Sequence, residues 1–257
     1  MSESFSQFYD ALAPDYDAMT GFDQRFVAEQ GFFASTVAKY NITTALDAGC
    51  GTGAHALLLA RLGVAVTAVD ASEEMLRTAA RHAEAMHLPL TLRQVDLFQD
   101  TGSIQERFDA VFCMGNTIAH AASAAEAQKT IGGLLSLLRP GGILVLQLLN
   151  FERILKDRPR MINRRTVGDV SYVRYYSYLH DSIVFKILTI RRKDDRVTRK
   201  LIATKLCPLL LPDFTEAFTS SGLIPLTYGG IDFSSFDPAR SKDLLVVSLC
   251  DSCYNSP

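Results

Sequence analysis

The chain has 257 residues, 48% hydrophobic and 21% charged, with a formal net charge of −2. That length supports a sizeable core, in one large domain or two small ones. The near-neutral balance gives no electrostatic reason to expect nucleic acid or an anionic membrane as partner. No apolar run reaches the roughly 18 residues of a membrane span, and no signal-peptide pattern opens the sequence. Five cysteines, an odd number, fit reduced thiols in the cytoplasm better than a disulfide framework. Cys250 and Cys253 form a lone CxxC without the further ligands that a zinc site needs.

Phe5, Phe8, Tyr9 and Leu12, then Phe26, Val27, Phe32, Phe33 and Val37, recur at helical spacing. Residues 1–41 are therefore expected to be mainly helical, with breaks at Ala13–Asp17 and at Thr20-Gly21. From residue 42 strands and helices alternate. Strands are expected at Thr44–Asp47, Ala65–Asp70, Thr91–Val95, Ala110–Met114 and Ile143–Leu149, and helices at Ala54–Leu62, Ser72–Met86 and Ser123–Leu138. Ser72 followed by Glu73 and Glu74 is a capped, acid-led helix start, and Arg139-Pro140-Gly141-Gly142 closes the third helix. Apolar strands alternating with helices imply a parallel sheet covered on both faces.

After Asn150 the pattern changes. Tyr172–Leu179, Ile183–Arg191 and Val197–Leu206 read as strands joined by turns at His180-Asp181-Ser182 and Lys193-Asp194-Asp195. This antiparallel block is a candidate lid or homo-oligomer surface. Its arginines (Arg158, Arg160, Arg164, Arg165, Arg191, Arg192) read as solvated sheet-edge charges rather than a nucleic-acid patch. A helix over Pro212–Ser221 and strands at Leu223–Tyr228 and Leu244–Leu249 complete the chain. The economical description is a single α/β domain: a helical segment (1–41), a core (42–150), an insertion (151–207) and a terminal helix with the last strands (208–257).

The candidate site lies at the ends of the first strands. Asp47-Ala48-Gly49-Cys50-Gly51-Thr52-Gly53 places three glycines in five residues between a strand and a helix. Such a turn lets the backbone approach a ligand, and the helix behind it offers unpaired N–H groups. The run also satisfies the dinucleotide pattern G-x-G-x-x-A, so on its own it leaves a nicotinamide-dependent dehydrogenase and a purely structural turn open. Three acids bear on the choice. Asp47, at the first strand tip, would repel a pyrophosphate. Asp70, ending the second strand, suits ribose hydroxyls. Asp96, after the third, is placed to reach an adenine amino group while Leu97 packs against the ring.

The order and spacing of Asp47–Gly53, of Val69-Asp70-Ala71-Ser72-Glu73-Glu74-Met75-Leu76 and of Leu138-Arg139-Pro140-Gly141-Gly142 resemble the class I S-adenosylmethionine-dependent methyltransferases over roughly residues 42–150. The resemblance implies a doubly wound, seven-stranded, mostly parallel sheet whose last strand is inserted antiparallel. It also implies S-adenosylmethionine as cofactor, S-adenosylhomocysteine as product and a small-molecule methyl acceptor. The implied cofactor residues are Asp47, Ala48, Gly49, Gly51, Gly53, Asp70, Ala71, Met75, Asp96, Leu97, Met114 and Gly115. In similar enzymes the N-terminal segment is a lid, which would bring Tyr16 to the sulfonium; for Tyr9, helix packing is the stronger reading.

A narrower resemblance is to the glycine and sarcosine N-methyltransferase branch, through Met114-Gly115-Asn116-Thr117-Ile118-Ala119-His120 and Asn150-Phe151-Glu152-Arg153-Ile154-Leu155. It implies Arg25 at the cofactor carboxylate, Asn116 holding an acceptor N–H, and His120 as base or cofactor contact. The branch's substrate-gripping arginine is replaced by Leu149, which counts against glycine and sarcosine and leaves open a catalytically silent S-adenosylmethionine-binding protein.

Overall fold

The computed structural model describes residues 5–219 and 223–249. The Cys250–Cys253 pair and the expected helix end at Ser221 lie outside the described residues. Two helices, α1 (Phe5–Thr20) and α2 (Phe22–Tyr40), precede the alternating region. That region runs β1 (Thr44–Ala48), α3 (Ala54–Arg61), β2 (Ala65–Asp70), α4 (Glu73–Met86), β3 (Thr91–Gln94), β4 (Phe108–Cys113), α5 (Ala124–Ser136) and β5 (Leu138–Leu149). There follow α6 (Phe151–Asp157), the strands β6 (Met161–Val167), β7 (Val170–Tyr178), β8 (Ile183–Lys193) and β9 (Arg196–Leu206), then α7 (Leu211–Thr219), β10 (Leu226–Tyr228) and β11 (Asp243–Leu249).

The main sheet has the order β10-β11-β5-β4-β1-β2-β3, and β11 runs antiparallel between β5 and β10. The implied seven-stranded topology is therefore present. Strand alternation sends Ala45, Ala68, Ala110 and Val145 to the face covered by Phe33, Leu57 and Leu58 of α2 and α3. It sends Leu46, Val69, Val111 and Leu144 to the face covered by Ile131 and Leu134 of α5 and by Phe214 and Phe218 of α7. Ser72 and Ser123 cap α4 and α5, accepting the Met75 and Glu126 amides.

Several boundaries differ from the sequence expectation. Pro14 does not end the first helix, and α1 continues to Thr20. Its buried residues Phe8, Leu12, Asp15 and Met19 recur at helical spacing, and that packing outweighs the lost amide at Pro14. β5 begins at Leu138 rather than Ile143, through a register shift opposite Phe108–Ala110 that Gly141 permits with φ of 79°. Two elements were not expected individually. α6 is capped by Asn150, which accepts the Arg153 amide, and β6 is a mostly exposed strand.

The four strands β6-β7-β8-β9 form a separate antiparallel sheet. Helix α1 packs on it through Phe8, Leu12 and Met19 against Tyr172, Ile187 and Ile202, with Met75 of α4 in the same cluster. At the centre of this contact the buried Asp15 carboxylate accepts from the Tyr172 hydroxyl at 2.9 Å and from both-oxygen contact with the Arg191 guanidinium. Arg191→Met leaves Asp15 with one partner. Because Arg191 is half exposed, the expected cost is about 2 kcal/mol, below that of a fully buried pair. Urea unfolding checks it, and Asp15→Asn/Arg191→Met should recover part of the loss.

Candidate functional site

The glycine turn is fixed by backbone hydrogen bonds. The Gly49 and Cys50 amides both donate to the Val69 carbonyl, at 2.8 and 2.9 Å, and the Gly51 amide donates to Asp70 Oδ2 at 2.8 Å. Gly49 has φ of 79°, and a Cβ there would collide with Thr117. At Gly53 (φ 87°) a Cβ would stand 3.0 Å from that of Ala79, so this residue lets α3 and α4 pack closely. Asp70 Oδ1 accepts the Ser72 amide at 2.9 Å. Burial raises the Asp70 carboxyl to about 6, against the opposing pull of these two amides.

These elements border a cleft of about 720 Å³, counting its open mouth. The first three strand tips bring Gly49, Gly51, Asp70, Ala71 and Leu97 to its wall, joined by Phe98. The loop after β4 adds Met114, Gly115 and Thr117. Arg25 and His55 also line it, while Phe5, Tyr9 and Tyr16 come from α1. Such a position, beyond the carboxyl ends of parallel strands, is where open α/β sheets bind ligands. Among the described residues no three metal-ligating side chains cluster.

Arg25 is held in place. Its Nε donates to Glu29 Oε1 at 3.1 Å, and Nη2 lies 3.0 Å from Nε2 of His55, which is 2.7 Å from Glu29 Oε2. The hydrogen bond from His55, its charge and the Arg25 guanidinium overcome burial and lower Glu29 to about 2. The Tyr16 hydroxyl sits beside Arg25; burial raises its pKa and the guanidinium opposes the rise. On the other side of the cleft the Tyr9 hydroxyl is 2.8 Å from His120 Nε2, and the Phe5 ring stacks on the imidazole at 5.7 Å. Burial lowers His120 to about 4, so the imidazole is neutral at pH 7.

Residues 45–142 match the family model described as a methyltransferase domain. The chain is 34% identical over 152 residues to a glycine/sarcosine N-methyltransferase of Aphanothece halophytica, covering 59% of this chain and 57% of that protein. The matched stretch, residues 45–142, is a methyltransferase domain. It spans just over half the length of the curated relatives it matches. The fold is also that of an S-adenosylmethionine-dependent methyltransferase from Clostridium acetobutylicum, at TM-score 0.81 and 17% identity over 95% of this chain and 99% of the other. An amino pentose methyltransferase from Micromonospora echinaspora, solved with S-adenosylmethionine bound, has TM-score 0.72 and 19% identity over 87% and 91%.

Not every expected residue reaches the cleft. Asp47, Ala48, Gly53, Met75, Asp96 and Asn116 lie outside its lining. Asp47 is fully buried, and its oxygens make no hydrogen bond within 3.5 Å, the Ala56 amide being a looser neighbour. Burial raises it to about 6, while His55, the Ala56 amide and Arg25 pull it down. Ala48 is buried in β1, Gly53 packs on Ala79, and Met75 belongs to the core cluster of α1. Asp96 Oδ1 accepts the Phe98 amide at 3.0 Å and so shapes the loop that presents Leu97 and Phe98. Asn116, in a left-handed turn, accepts the Leu149 amide through its Oδ1 at 3.1 Å. That oxygen already ties the loop after β4 to β5.

Sequence reasoning missed Phe5, Tyr9, His55, Phe98 and Thr117 on the wall. It also missed Gln147, whose Oε1 accepts the Gly115 amide at 2.7 Å. A further contact joins α1 to the glycine turn. His82 lies 2.9 Å from the Thr52 carbonyl through Nδ1 and 3.2 Å from Asp17 Oδ2 through Nε2. Both neighbours are acceptors, so the doubly protonated ring satisfies both, and the Asp17 hydrogen bond raises the His82 pKa despite partial burial and nearby Arg81. A raised folded-state pKa means the contact contributes fully below the ordinary histidine value of about 6.5 and is lost as pH rises through the higher value. Limited proteolysis within α1 should accelerate as the pH rises above about 6.5. His82→Gln should flatten that dependence.

Proposed function

We propose that the chain transfers a methyl group from S-adenosylmethionine to a small-molecule acceptor, at nitrogen. The observation that carries the reading is the Asp70 carboxylate on the cleft wall, between the glycine turn and the Leu97 slot, with the Arg25 guanidinium also on that wall. These residues fit the cofactor's parts. Asp70 would accept ribose hydroxyl hydrogen bonds, and Leu97 and Phe98 would pack the adenine beside Ala71. Arg25, already oriented by Glu29, would pair with the methionine carboxylate. Tyr16 would face the charged sulfur with its ring or hydroxyl. When bound, the cofactor supplies a methyl group on an activated sulfonium leaving group.

The protein's own contribution is then chiefly positioning and exclusion of water. The lid aromatics Phe5, Tyr9 and Tyr16 cover the cleft. Tyr9 and His120 hold one another, and a neutral His120 with pKa near 4 is a weak base. That suits an amine acceptor, which attacks as its neutral form and needs no dedicated base, better than a hydroxyl. The N-methyltransferase named among the relatives supports the same choice.

A panel of amines, phenols and carboxylates, assayed for S-adenosylhomocysteine formation, tests the reading. An amine should give product. Cofactor binding with no product from any acceptor favours the silent binder that Leu149 keeps in view. Asp70→Ala should weaken S-adenosylhomocysteine binding by about 1–3 kcal/mol, the scale of a charged hydrogen-bond acceptor. Unchanged affinity by calorimetry in a folded variant removes Asp70 from the site.

A further inference from the structure

The arginines of the insertion do not all lie on a solvated edge. In β7, Tyr172, Arg174 and Tyr176 share one face. Tyr172 bonds to Asp15 of the lid and Tyr176 is buried in the core, so Arg174 between them faces inward. In β6, Arg165 pairs with Tyr172 and Asn163 with Arg174, which puts Arg165 on that same face. The Arg165 guanidinium sits over Gly21, where a Cβ would lie 2.8 Å from Nη1, and Nη2 donates to Gln24 at 3.0 Å. This is the α1–α2 turn, flanked by Tyr16 and Arg25.

Arg174 thus neighbours Tyr16, Arg25 and Arg165, next to the cleft though not on its lining, and of the three guanidinium groups only that of Arg25 has a carboxylate, Glu29. Among the described residues, Arg165 and Arg174 have no carboxylate partner. Arg174 donates through Nε to the neutral Asn163 amide oxygen at 2.8 Å, and the Nε of Arg165 is buried with no partner at all. Burial, with the Arg165 and Arg25 charges, lowers the Arg174 pKa, although Tyr16 and Tyr176 oppose this. Like charges held together half out of water destabilise the protein unless an anion joins them.

We propose that Arg174, with Arg165 beside it, is the oxyanion-binding end of the acceptor site, so that the methylated amine carries a carboxylate or phosphate-type group. The proposal rests on the methyltransferase reading above. It relocates to the insertion the cationic grip that Leu149 lacks at the end of β5. A guanidinium fork matches two oxygens of such a group and orients the amine toward the cleft.

The test uses full-length protein saturated with S-adenosylhomocysteine and titrated with inorganic phosphate, then with acetate, at constant ionic strength in chloride. Arginine Nε–H resonances in 15N spectra provide the readout. A saturable response is expected. Arg174→Gln should weaken it by roughly tenfold or more while changing S-adenosylhomocysteine affinity by less than about twofold. Arg174→Lys should retain part of the affinity, because it keeps the charge and loses the fork. A phosphate-only response indicates a phosphate-type acceptor, and an acetate response a carboxylate. A response linear in salt and equal for chloride, or unaltered in Arg174→Gln, overturns the proposal. Failure of S-adenosylhomocysteine to bind overturns the underlying reading instead.

Discussion

Gly51 and Ser72 each donate a backbone amide to one oxygen of Asp70, so a single side chain joins the loop after β1 to the start of α4. The joint extends further. Ser72 Oγ caps α4 by accepting the Met75 amide, and donates at 2.6 Å to Asp10 of the lid helix. The acid at the strand tip, the cap of the next helix and the lid are therefore one hydrogen-bonded path. Replacing any member leaves a part-buried donor or acceptor unpaired, which costs more than the bond itself contributes. The cleft holds its shape because its floor and cover share these atoms.

The lid is fastened from its outer side as well. Asp15 and the apolar residues Phe8, Leu12 and Met19 face the insertion sheet, while Phe5, Tyr9 and Tyr16 face the cleft. The insertion thus backs the site's wall by way of α1. Gln147, bonded to the Gly115 amide and to Asp243 at 3.0 Å, does similar work on the opposite side. Through Gln147, the antiparallel strand β11 helps to steady the loop after β4.

Much of this was legible in the sequence because it depends on local pattern. Alternating apolar strands, the three close glycines and the Ser72 cap mark the core sheet and the position of Asp70 and Leu97, and the family resemblance adds Gly115. What escaped depends on partners far along the chain. Pro14 reads as a break, yet α1 continues because strands more than 150 residues later bury its face. Tyr9 reads as packing; only His120, 111 residues away, makes it a cleft residue. β6 is rich in arginine and exposed, with no alternation to mark it. The acids Asp47, Asp70 and Asp96 look alike as strand-end carboxylates. Their neighbours separate them, one fully buried, one on the wall and one folded back on its own loop.

The fastening of α1 by Tyr172 and Arg191 also sets an order of assembly. The helix is made before any strand of the main sheet, but the residues that bury its outer face emerge from the ribosome only when β7, β8 and β9 are complete. Until then Phe8, Leu12 and Met19 have no core, and a short helix containing proline is marginal on its own. Strands β1 to β5 therefore emerge with the cleft uncovered, and docking of α1 is a long-range step of high contact order. Nascent or partly folded chains would expose these aromatic and aliphatic groups, which makes closure of the lid the stage most open to aggregation.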